Sequence, residues 1–88
     1  MPVISRFFGI VIEMHFLEQN PPHFHAEYQG YEAVFSISGG KVVEGKLPKR
    51  AEALVRAWAL AHRAELEENW RRAQAKAALL KIPGADQP

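Results

Sequence analysis

The sequence predicts an α+β fold: an antiparallel sheet of about four strands in ββββα order, with one long C-terminal helix packed on one face. Three observations lead there. Before Leu47 stand all but one of the 6 glycines, most of the aromatic residues, and short runs in which apolar and polar side chains alternate, as in half-buried strands. After Leu47, Ala, Leu, Glu, Arg and Trp recur at helical spacing until Pro83 and Gly84, which stop a helix. The 88 residues leave room for one domain, taken as 1–83, with 84–88 as a flexible tail.

Ile10, Ile12, Met14 and Phe16 alternate with Val11, Glu13 and His15, so 10–16 reads as a strand. Asn20-Pro21-Pro22 interrupts regular structure, because proline removes a donor and extends the residue before it. From His23 to Tyr28 the alternation resumes, with Phe24, Ala26 and Tyr28 on one face and His23, His25 and Glu27 on the other. A two-residue turn at Gln29-Gly30 pairs Tyr28 with Tyr31, Ala26 with Ala33 and Phe24 with Phe35, which puts every apolar residue on one face. A tight Gly39-Gly40 turn fails that test by sending Glu44 and Lys46 into the core. The expectation is therefore a three-residue loop Ser38–Gly40 with a bulge, and Val43, Gly45 and Leu47 on the apolar side.

Pro48 suits a helix start. From Leu47 the apolar stripe runs through Ala51, Leu54, Trp58, His62, Leu66, Trp70, Ala73, Ala77 and Leu80, close to the α-helical period. Thirty helical residues span ~45 Å, whereas a seven-residue strand spans ~23 Å. Either the helix breaks near His62–Ala64 and folds back, or the overhang, including Trp70, packs on a second copy or another protein. With no Gly or Pro to mark a break, a continuous helix and a homodimer are the expectation. Ile82 is placed to add a short terminal strand.

Composition narrows the function classes. Lys plus Arg number 11 against 10 for Asp plus Glu, a net charge of +1, so nucleic acid is not the favoured partner. The absence of Cys excludes disulfides, thiolate catalysis and Cys-ligated zinc. No apolar run approaches the ~20 residues of a membrane span, so the expectation is a cytoplasmic protein with no membrane partner.

One helix covers one sheet face, and the other carries Glu13, His15, His23, His25, Glu27, Glu32, Val34 and Ser36. His23 and His25 point the same way with Cα atoms ~6.5–7 Å apart, close enough for both rings to reach one anionic oxygen or one metal. His15 on the neighbouring strand is in place as a third ligand. Glu27 and Glu32 oppose one another across the hairpin, and a cation, a partner arginine or a shared proton would relieve the repulsion. On the helix, His62 and Asn69 share nearly one azimuth and with Trp70 form a candidate contact surface. Lys46, Lys49 and Arg50 cluster at the helix start, where basic residues oppose the dipole, which suits an anion contact.

The run Met1–Ile10, the segment Asn20-Pro21-Pro22-His23-Phe24-His25-Ala26, the junction Leu47-Pro48-Lys49-Arg50, and Trp58, His62-Arg63, Glu65-Leu66 and Asn69-Trp70 resemble a bacterial family. It is the domain-of-unknown-function family numbered four-one-six-zero. The resemblance implies a small protein often encoded beside another small uncharacterised protein, and hence a toxin–antitoxin-like pair. It implies no established activity, and it points to His23, His25, Arg50, His62 and Asn69. His15 stands where such proteins commonly show an aromatic residue.

Three functions follow. The leading one is a protein-interaction module that dimerises or binds its neighbour-encoded partner through the helix overhang and the His/Glu face, with no cofactor. The second is a small ribonuclease-type toxin, with His23 or His25 as acid or base and Arg50 holding phosphate. The third is a metal-dependent enzyme at His15, His23 and His25.

Overall fold

A computed structural model describes residues 2–87. Five strands and two helices follow in order: β1 (Val3–Phe7), β2 (Ile10–Glu13), β3 (His23–Tyr28), β4 (Tyr31–Ser36), β5 (Val42–Gly45), α1 (Lys49–Ala61) and α2 (Arg63–Gln74). The strands form one antiparallel sheet in sequence order, β1-β2-β3-β4-β5. Trp58 of α1 packs against Phe7 and Phe24, with ring centroids 5.1 and 5.9 Å away, so the helices cover the apolar face. Phe24 and Phe35 stack across the central hairpin within that core. Among the described residues no helix is long and apolar enough to cross a membrane.

The central hairpin has the register that its alternation demands. Phe24 pairs with Phe35, Ala26 with Ala33, Glu27 with Glu32 and Tyr28 with Tyr31. Elsewhere several expectations are corrected. The sheet has five strands, because β1 joins β2 through a turn in which Phe8 and Gly9 both have positive φ (51° and 79°), the conformation a right-twisted two-residue hairpin prefers. A register shift between Val3 and Ser5 lets Ile4, Ser5 and Phe7 all be buried, so β1 never shows a clean period of two. The strand expected at 10–16 ends at Glu13; Met14 still reaches the core, but Phe16 is exposed.

The hairpin from β4 to β5 closes on Ser36 and Lys41, with Ser36 N–H donating to Lys41 O and Gly40 N–H to Ser36 O. Its loop is thus one residue longer than expected. Phe35 pairs with Val42 and Val34 with Glu44, so the bulge falls on Val43, which is exposed where the core side was expected. Gly45 keeps its place opposite Ala33, and Leu47 is buried.

The single long helix is two. His62 leaves helical geometry (φ −114°, ψ 26°) between α1 and α2, and α2 ends at Gln74. No Gly or Pro causes this; the bend is driven by burial, since it lets Leu66, Asn69, Trp70 and Ala73 all enter the core. The end of α2 is a Schellman motif: Ala77 N–H donates to Arg72 O and Lys76 N–H to Ala73 O, with Lys76 at φ 57° in the left-handed position that glycine usually occupies. Ala77 and Leu80 therefore lie outside any helix. Trp70 is only 7% exposed, and the longest dimension of the molecule is 33 Å. Among the described residues no helix overhangs the sheet.

Beyond α2 the chain returns across the molecule without forming a strand. Asn69 holds Leu80 at both backbone groups, Ile82 N–H donates to Ile4 O, and Trp58 Nε1–H donates to Pro83 O. Phe8 N–H donates to Asp86.

Candidate functional site

The alternation of β3 that sends Phe24 and Ala26 into the core turns His23, His25 and Glu27 to the uncovered face. Glu13 of β2 pairs with His25. Just past Met14, His15 lays its ring on that of His25, with centroids 4.0 Å apart and planes within 12°. The loop from Phe16 to Pro22 is pinned from below by the end of α2: Leu17 N–H donates to Ala73 O, and Gln74 Nε2–H donates to Glu18 O. Leu17 takes a positive φ of 57°, and the Asn20–Pro21 peptide is cis. This loop returns the Glu18 carboxylate over the histidines.

Three imidazoles converge there on one oxygen. Glu18 Oε1 lies 2.7 Å from His25 Nε2, 3.1 Å from His23 Nε2 and 3.4 Å from His15 Nδ1. The hydrogen bond from His25 is the largest influence on the Glu18 carboxyl and holds it below the usual carboxylate range; partial burial acts the other way, and a further hydrogen bond from His23 helps outweigh it. His23 Nδ1 donates to Pro21 O at 2.9 Å, since a carbonyl only accepts. His15 Nε2 is buried without a hydrogen-bond partner, 3.6 Å from Glu13 Oε1. Trp70 walls the far side of His23, ring centroids 5.2 Å apart.

Beside the histidines the sheet face forms a cleft of about 320 Å³ lined by Glu13, His15, His25, Glu27, Glu32, Val34 and Glu44, among others. Glu27 and Glu32 oppose each other directly. Among the described residues, Glu27, Glu32 and Glu44 have no ion-pair partner, and the lining includes no Lys or Arg. The cleft thus combines two imidazoles with an excess of carboxylates, a setting for cations rather than phosphates.

A family profile, the domain of unknown function DUF4160, matches residues 9–71. The chain belongs to the DUF4160 family. The match runs from the β1–β2 turn into α2 and includes every residue around Glu18 except those of the α2 end that pin its loop. Neither the curated proteins nor the solved structures yield a match.

The remaining residues singled out in this DUF4160 sequence lie elsewhere. Arg50 is exposed and lines a separate hollow with Phe8, Tyr28 and Leu54; it is not brought to the histidines. His62 sits at the helix junction, its Nδ1 2.5 Å from Glu65 Oε1 and its ring against Trp58. Asn69 is fully buried, and both of its amide hydrogen bonds go to the backbone of Leu80. The residue that sequence reasoning missed is Glu18. It lies in an irregular loop, and its only signal was an acid three residues after His15 and shortly before the Pro-Pro pair.

Proposed function

We propose that this DUF4160 protein is an interaction module of a toxin–antitoxin-like gene pair, and that it meets its partner through the open acidic face of the sheet. The supporting observation is the Glu27–Glu32 pair, opposed across the hairpin with Glu13 and Glu44 on the same face and, among the described residues, no Lys or Arg lining the cleft. Like charges so placed are destabilising, and a lysine or arginine of a neighbour-encoded partner offsets that repulsion while steering the encounter. The helix, expected to supply the contact by overhanging the sheet, has Trp58, Leu66 and Trp70 buried within its own chain. The test is titration calorimetry of the adjacent gene product into this protein, with light scattering to separate a heteromeric complex from a second copy of the chain. The double variant Glu27→Gln, Glu32→Gln weakens a salt-sensitive complex by about tenfold or more; unchanged affinity, or no complex with the wild-type protein, refutes the reading.

The 2.7 Å contact of Glu18 with His25 favours a second reading, a ribonuclease-type toxin in which Glu18 orients His25 as acid or base. The surrounding carboxylates and the remote Arg50 weigh against a phosphate substrate. Cleavage of RNA by the wild-type protein that vanishes in His25→Ala would support it, and cleavage that persists would exclude His25.

A further inference from the structure

We propose that His15, Glu18 and His25 form a divalent-metal site with two histidine ligands and one carboxylate, suited to zinc. The ligating atoms all lie within 4.8 Å of one another. Zinc holds nitrogen and oxygen ligands at about 2.0–2.2 Å in a tetrahedron, which sets neighbouring ligand atoms about 3.3–3.5 Å apart. Glu18 Oε1 is already 3.4 Å from His15 Nδ1 and 2.7 Å from His25 Nε2. Small rotations of three side chains, each between 24% and 30% exposed, admit the ion.

The surroundings of the three ligands fit an ion held there. With His15 coordinating through Nδ1, its Nε2 carries the hydrogen; that atom is buried, has no partner, and sits 3.6 Å from Glu13 Oε1. A slight turn of Glu13 completes a carboxylate–histidine–metal chain, the usual means of fixing a ligand's tautomer. On the other side, His23, held through Nδ1 by the Pro21 carbonyl, places its Nε2 3.1 Å from Glu18 Oε1 and fixes that carboxylate beside the two ligand histidines. Three protein ligands leave a fourth position to water, as in open two-histidine, one-carboxylate zinc sites. Glu27, Glu32 and Glu44 raise the local concentration of divalent cations without ligating.

The site is independent of the partner proposal, because the isolated chain suffices to test it. Tag-free protein stripped with a chelator is titrated with zinc chloride by calorimetry and followed by thermal melting. The expected result is about one ion per chain and a rise in Tm of about 10–20 °C at a hundredfold excess over Kd. Glu18→Gln and His25→Ala, each checked for native circular dichroism, weaken binding by about tenfold or more, whereas His62→Gln, at the helix junction, leaves it unchanged. Cobalt in place of zinc gives the visible absorption of a tetrahedral centre. No heat and no shift in Tm, or equal weakening by His62→Gln and His25→Ala, overturns the assignment.

Discussion

Asn69 has no contact with solvent, and its side-chain amide both donates to Leu80 O and accepts from Leu80 N–H at 2.9 Å. A buried amide so matched to one peptide unit acts like a strand partner for a segment that has none. Truncating it leaves two backbone groups without partners inside the protein. Asn69→Ala is therefore expected to lower unfolding free energy by about 2–4 kcal/mol, measured by urea denaturation. A loss below the error of that measurement would return Asn69 to the list of binding residues. In the sequence, Asn69 and His62 share a helical azimuth, and nothing in their spacing distinguishes a structural amide from a contact residue. His23 and His25 were legible because a strand's period of two fixes their common direction. Glu18 was not, because its position depends on how Gln74 and Ala73 hold a loop more than fifty residues away.

Among the elements, the β3–β4 hairpin was readable because only one register keeps Phe24, Ala26, Ala33 and Phe35 together, and neighbouring polar residues confirm it. Elements disrupted by one extra residue were not: the bulge at Ile4 hides β1, and the bulge in β5 turns Val43 out to solvent. The end of α2 was hidden for another reason. A lysine occupies the left-handed position after the helix, so the glycine that announces such an end is absent. A side chain with a Cβ is strained at φ 57°, whereas glycine is not. Lys76→Gly is thus expected to stabilise the protein by about 1 kcal/mol, seen as a higher melting temperature with unchanged helical circular dichroism. A lower melting temperature would mean that Lys76 contributes more through its side chain than its backbone loses.

At the scale of the whole molecule, the fold solves the problem posed by a helix longer than its sheet by bending the helix and strapping it down. The strap is the segment after α2. It supplies both partners of Asn69, the acceptor for Trp58 Nε1–H, and Ile82, which is 4% exposed and donates its N–H to β1. The family match stops at residue 71, so this closure lies beyond the part of the chain that the profile describes. A domain of this size has a total stability of about 4–13 kcal/mol. Removing the strap forfeits burial of Ile82, about 2–3 kcal/mol, and leaves Asn69 and Trp58 without partners, about 1–3 kcal/mol each. Truncation after Ala77, which spares the Schellman motif, should accordingly bring stability close to zero, with loss of the cooperative thermal transition by circular dichroism. Because α2 also anchors the Glu18 loop through Ala73 and Gln74, the same truncation should scatter the three imidazoles even in the fraction that stays folded. A truncated chain that melts cooperatively within a few degrees of the full one would show that the bend at His62 holds without its strap, and that α2 packs on the sheet by its own apolar face.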